Sequence, residues 1–126
     1  MKYPWLDEYL LNKPAAARRL QTDWNWVLYT VGEKMFAALC LDDQGEAVYL
    51  NVKTDPEYSL MLRQTYPDII PGYYCNKRCW NSIRADGDVP DELVRDLADE
   101  SYRLVLAGFS KKKQKEILGE NDGSFL

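Results

Sequence analysis

The sequence predicts an α+β domain of two layers, an antiparallel β-sheet with helices grouped on one face. Three features of the 126-residue chain lead there. Aromatic and β-branched runs between residues 26 and 52 are broken only by short turn signals, the pattern of a β-meander. Segments with helical periodicity stand before and after that region. Hydrophobic residues make up 46% and charged residues 29%, the balance of a folded chain whose single core needs no metal or disulfide staples.

Each element has its own signal. Pro4 to Leu11 reads as a helix: proline suits a first turn, Asp7 and Glu8 suit the positive helix N-terminus, and Trp5, Leu6, Tyr9 and Leu10 recur at helical spacing. Lys13-Pro14 ends it, and Ala15 to Leu20 reads as a further helical turn. Trp26 to Val31 is the first strand and Gly32-Glu33 its turn. Met35 to Leu41 is almost continuously apolar, so it is placed centrally. After Asp42-Asp43-Gln44-Gly45, the segment Ala47 to Val52 alternates as a third strand. Thr54-Asp55-Pro56-Glu57 opens a helix with a capping residue and a proline at its first position, and Pro67 stops it. Residues 67–72 read as a loop, Tyr73-Tyr74 as a short strand, and Cys79 to Ala85 as another strand closed by Asp86-Gly87. Leu93, Leu97, Leu104 and Gly108 form the stripe of a long helix from Pro90 to Ala107. Ser110 caps a short helix, Lys111 to Leu118, and residues 119–126 read as a frayed tail. The whole is one domain over residues 1–126, with an ordered core from about 4 to 118.

Composition excludes several kinds of chemistry. The chain has no histidine, hence no imidazole base and no Ser-His or Cys-His pair. P-loop, GxGxxG and GxSxG motifs are absent. No catalytic residue is assigned, and a non-enzymatic protein is expected. Cys40, Cys75 and Cys79 are an odd set that reads as free thiols in a reducing compartment. The Cys75-x3-Cys79 spacing lacks the further ligands that zinc needs, so neither metal nor cofactor is expected. No signal-peptide core and no run of about 18 apolar residues is present, so a cytoplasmic chain without a membrane partner, read as a monomer, is expected.

Net charge is −4 and the pI about 4.8, against the basic balance of a non-specific nucleic-acid binder, so such binding needs a local basic patch. One stretch supplies it. Tyr73, Tyr74, Asn76, Lys77, Arg78, Trp80 and Asn81, with Arg84 beyond, interleave aromatics, amides and cations and carry +3 between residues 72 and 85. Cations hold phosphates, asparagine reads a base edge, and rings stack on bases. The plainer reading packs Trp80 on the sheet, uses Asn76 in a turn and leaves Lys77 and Arg78 in water. Lys111, Lys112, Lys113 and Lys115 form a second basic site near a helix N-terminus, where they oppose the helix dipole. The carboxylates of residues 86–100 read as a solvated helix face. A pocket of Tyr73, Tyr74 and Trp80 points instead to a protein partner or small ligand.

These pieces stand in a specific order: Lys13-Pro14-Ala15-Ala16, Asp23-Trp24, Val31-Gly32-Glu33-Lys34-Met35-Phe36-Ala37, Thr54-Asp55-Pro56-Glu57, Leu62-Arg63-Gln64, Tyr66-Pro67 and Pro71-Gly72-Tyr73. Asn76-Lys77-Arg78-Cys79-Trp80-Asn81, Asp86-Gly87-Asp88-Val89-Pro90-Asp91, Ser101-Tyr102 and Ala107-Gly108 complete the series. In this the chain resembles the YjbR/MmcQ family from about residue 4 to 118. The resemblance implies a frataxin-like (CyaY-like) α+β fold and a DNA-binding role, with no catalytic residues. Where the family usually has Asn-Lys-x-His-Trp, this chain has Cys79 at the histidine position. The frataxin-like fold also implies a metal-handling alternative, for which the first helix offers only Asp7 and Glu8.

Overall fold

The computed structural model describes residues 1–72 and 76–119. Its element order is α1 (Leu6–Leu11), β1 (Ala16–Gln21), β2 (Trp26–Val31), β3 (Lys34–Leu41), β4 (Ala47–Lys53), α2 (Pro56–Thr65), β5 (Ile69–Pro71), β6 (Trp80–Arg84), α3 (Asp91–Ala107) and α4 (Lys111–Ile117). The six strands form one sheet in the order β1-β2-β3-β4-β6-β5, with every pairing antiparallel. The α+β class read from the sequence is the class observed. The meander is longer than expected, because Ala16–Gln21 is a strand rather than a helical turn. α1 ends at Leu11, Ala15 adopts φ 61°, which no helical turn contains, and all six residues of β1 then pair with β2. Ile69–Pro71, expected as loop, pairs with β6 as the other edge. The short strand expected at Tyr73-Tyr74 and the frayed tail lie outside the described residues, except for Gly119.

One row of cross-strand partners shows how the core is built. Ile69, Ile83, Leu50, Leu39, Val27 and Leu20 stand side by side across all six strands. Directly opposed residues share a face, and this face receives Leu6 and Leu10 of α1, Leu62 of α2, and Val94, Leu97 and Val105 of α3. Both faces of the central strands are largely buried. On the second face Trp26, Leu28, Ala38 and Cys40 form a smaller cluster with Met35 and Tyr49.

The turns follow their local chemistry. Gly32 and Glu33 both have positive φ, 56° and 71°, as a tight hairpin turn between right-twisted strands requires. Gly32 is needed a second time by packing, since a Cβ there would fall 2.5 Å from Ile117 Cδ1 and 2.9 Å from Phe109 Cζ. α4 thus docks on the β2–β3 turn. Asp55 caps α2, its carboxylate accepting from the Glu57 and Tyr58 amides. The carboxylates expected as a solvated face of α3 are partly structural. Asp91 accepts from Trp5 Nε1 at 3.0 Å, and Asp99 accepts from Tyr9 Oη at 2.7 Å and pairs with Lys13, so they tie α3 to α1.

Candidate nucleic-acid interface

Charge is sorted by layer. The strands carry Arg18, Arg19, Lys34, Lys53 and Arg84 and no carboxylate. Helices α1 and α3 carry Asp7, Glu8, Asp91, Glu92, Asp96, Asp99 and Glu100 against only Arg95 and Arg103. Helix α4 reverses the sign, with four lysines against Glu116.

The register also sorts charge along the strands. Lys53 pairs with Trp80, Val52 with Asn81 and with Ala37, and Val31 with Lys34. The β2–β3 turn, the end of β4 and the start of β6 therefore share one end of the sheet. Lys77 and Arg78 precede β6 there, and α4 packs on Gly32 there. Two basic segments more than thirty residues apart in sequence thus meet at one end, separated by β3 and β4, or roughly 10–15 Å at the usual strand spacing. Lys34 adds a cation between them, its Nζ 4.7 Å from the Phe109 ring centroid.

Arg63 fixes the Lys77–Trp80 segment. From α2 its Nε donates to Asn81 Oδ1 at 2.9 Å, and its Nη2 donates to the carbonyls of Lys77 at 2.7 Å and Trp80 at 3.0 Å. Burial lowers its pKa from the ordinary guanidinium value. Asn81 is fully buried, its Nδ2 donating to Thr54 Oγ1 at 3.0 Å and Ser59 Oγ at 3.1 Å. This corrects the expectation that Asn81 reads a base: both ends of its amide are spent on the fold. Asn76 is exposed, but its Oδ1 accepts from the Arg78 amide, closing a turn. Trp80 is half-buried, and its Cβ lies 2.8 Å from where a Cβ on Gly72 would stand. Lys77 Nζ donates to the Gly72 carbonyl at 3.0 Å. The Arg78 guanidinium has no ion-pair partner among the described residues and faces a hollow of about 350 Å³ with Pro56, Glu57, Leu60, Arg63 and Lys77. Lys111, Lys112, Lys113 and Lys115 are exposed on α4, with Lys113 4.0 Å from Glu116.

Arg84 does not join this group. It ends β6, roughly 13 Å along the strand from Trp80, where it faces Asp68 at 3.7 Å and the Tyr49 ring at 5.8 Å. Tyr73 and Tyr74 lie outside the described residues, as does Cys75. Cys79 is a half-buried free thiol. Among the described residues no three histidine, cysteine or carboxylate groups are placed to hold a metal. Asp7, half of the carboxylate pair on α1, is taken up by Arg18 at 2.7 Å and by the Tyr29 hydroxyl at 2.7 Å. No helix of the described residues is long and apolar enough to cross a membrane.

The model of the family described as YjbR matches residues 11–104, three-quarters of the chain. The chain belongs to the YjbR family. Escherichia coli YjbR is 32% identical over 111 residues, covering 88% of this chain and 92% of the relative. Escherichia coli YbdF is 34% identical over 90 residues, covering 71% of this chain and 72% of the relative. Bacillus subtilis YyaQ is 31% identical over 103 residues, covering 82% of each. All three carry the description "uncharacterized protein". The crystal structure of a Deinococcus radiodurans protein with a DUF419 domain superposes with a TM-score of 0.79 at 32% identity, covering 93% of this chain and 87% of that one. A crystal structure from Pseudomonas syringae shares the fold, with a TM-score of 0.64 at 20% identity over 77% of this chain and 92% of that one. The YjbR-family match spans every element that builds the basic end of the sheet except α4.

Proposed function

We propose that this YjbR-family protein is a non-enzymatic DNA-binding protein that contacts phosphates with the basic end of its sheet. The observation that supports the reading is that the Lys77-Arg78 segment and α4 lie at the same end of the sheet. Phosphate contacts set affinity and position, whereas base readout needs amide or guanidinium groups in a groove. With Asn81 withdrawn into the core, the interface is mainly electrostatic and largely indifferent to sequence. The role requires no cofactor.

The test is fluorescence anisotropy of labelled single- and double-stranded DNA at low and physiological salt. Wild type is compared with Lys77→Ala/Arg78→Ala and with a variant neutralising Lys111, Lys112, Lys113 and Lys115. Binding that weakens with salt and falls in both variants supports the role. No binding at low salt removes it.

A second reading, a protein- or small-ligand-binding module with no nucleic-acid role, is favoured by Trp24. This side chain is 59% exposed, stands edge-on to Trp26 at 5.5 Å, and opens on a hollow of about 270 Å³ with Val48 and Tyr49. A nuclease-resistant stoichiometric partner lost in Trp24→Ala would favour it over DNA.

A further inference from the structure

The two edges of the sheet are unlike. β5 is three residues long and ends in Pro71, which has no N–H to offer a further strand. β1 is six residues long, has no proline and is exposed along its middle four residues. Its inner edge is fully paired to β2. Every second residue of an edge strand turns its N–H and C=O outward, and among the described residues no strand pairs with that side of β1. Natural sheets close such edges with short strands, proline, bulges or charge. Here only charge is used.

The core row shows what the edge lacks. From Ile69 to Leu39 the row is buried, Val27 is partly buried, and Leu20 at its end is 57% exposed. The helical layer stops short of it, leaving a groove of about 430 Å³ lined by Leu20, Val27, Leu39 and Tyr29 beside the Asp7–Arg18 pair, with Arg19 at its rim. A seventh strand would extend the row with an apolar side chain against Leu20.

Charge says which strand. Arg18 is held by Asp7, but Arg19, on the opposite face, has among the described residues only Gln21 Oε1 as a side-chain partner, at 3.2 Å. Opposite charges across a strand pair stabilise and like charges destabilise. A second copy of this chain fits poorly. Pairing all of Ala16–Gln21 antiparallel with itself sets Arg18 against Arg19 at two places, and setting Leu20 against Leu20 pairs only residues 19–21 within the strand. We propose that the β1 edge is a docking site for an extended peptide of a partner protein, one that alternates apolar and acidic residues and adds to the sheet as a seventh strand. The apolar residues continue the core row beyond Leu20, and a carboxylate pairs with Arg19.

The probe is a capped, fluorophore-labelled eight-residue peptide of alternating valine and glutamate. It is compared with the same peptide bearing lysine for glutamate, and with one N-methylated at alternate backbone positions. The acidic peptide is expected to bind at least tenfold more tightly than the lysine peptide, and the N-methylated peptide not at all. Arg19→Ala and Leu20→Ser, each checked for a wild-type melting curve, are each expected to weaken binding by fivefold or more, and bound peptide should slow hydrogen exchange in β1. Equal binding of the acidic and lysine peptides overturns the proposal. So does no binding by any peptide, or protection of β1 amides by self-association without peptide. Leu20→Lys serves if Leu20→Ser is destabilised, and unchanged affinity in it is equally fatal.

Discussion

Replacing Arg63 with methionine tests whether one side chain holds the candidate interface in place. Methionine keeps an unbranched stem but removes three hydrogen bonds, to Asn81 Oδ1, the Lys77 carbonyl and the Trp80 carbonyl. The three acceptors are not equally affected. The Lys77 carbonyl returns to water. The Trp80 carbonyl keeps the Gly72 amide at 2.8 Å. Asn81 is fully buried, and its Oδ1 is left with no donor among the described residues. A stranded buried acceptor costs about 1–3 kcal/mol, and a lost bond to an acceptor that retains another donor costs about 1 kcal/mol. The expected loss is therefore about 2–4 kcal/mol, or on the order of 10 °C in Tm for a chain of this size. Urea denaturation followed by tryptophan fluorescence measures it, with the m-value checking that unfolding remains two-state. Combining Arg63→Met with Asn81→Leu removes both partners, and the pair should be at least ~1 kcal/mol less damaging than the sum of the single changes. A single-variant loss below about 0.5 kcal/mol, or strict additivity in the double variant, refutes the bridging role.

Three other outcomes are expected. In the DNA assay, log K should fall against log salt with a slope near −0.9 per phosphate neutralised; Lys77→Ala/Arg78→Ala should make it shallower by about two, and Arg84→Ala should leave it unchanged. Gly32→Ala forces a side chain into a turn at φ 56° and against Ile117 and Phe109, so it should cost about 1–3 kcal/mol and expose the 109–119 segment to limited proteolysis before the rest unfolds. Asp7 supplies a pH dependence. Burial pushes its pKa up, but the hydrogen bonds from Arg18 and Tyr29 and the charge of Arg18 outweigh burial and leave it below the ordinary carboxylate value. A carboxyl lowered in the folded state adds stability above its unfolded pKa, about 3.9, and loses it as pH falls through the folded value. The stability gap between wild type and Asp7→Asn should be constant above about pH 5 and close below pH 4; a gap that widens in acid contradicts this.

The elements read correctly from the sequence are those whose signal is local. β2, β3 and β4 show alternation or unbroken apolar runs between turn residues, Asp55-Pro56 marks the start of α2, and α3 has a clear stripe. β1 reads as helix in the sequence because Ala15-Ala16-Ala17-Arg18-Arg19-Leu20 is a string of good helix formers. Pairing with β2 overrides that preference, and no residue within β1 announces it. β5 is too short to show alternation. Arg63 looks like any exposed helical arginine, and its importance lies in partners at residues 77–81 that only the crossover from β4 through α2 brings near. Asn81 could have been found: it is two residues from Ile83 on a strand, so an inward Ile83 puts Asn81 inward as well. The meeting of the two basic segments was beyond local reading because it depends on β6 pairing with β4 and on α4 folding back to Gly32.

The separation of charge between the acidic α1 and α3 and the basic sheet end makes the molecule an electric dipole as well as a monopole of −4. The two act over different ranges. Beyond the Debye length of about 8–10 Å at physiological salt, both are screened. At low salt the monopole reaches farther and repels a polyanion while the dipole turns the basic end toward it. Under the proposed DNA-binding role, removing salt should therefore raise the lifetime of an encounter with DNA more than its frequency. A protein of this kind would gain its selectivity for approach angle in the rotational stage of diffusion, before any side chain touches its target.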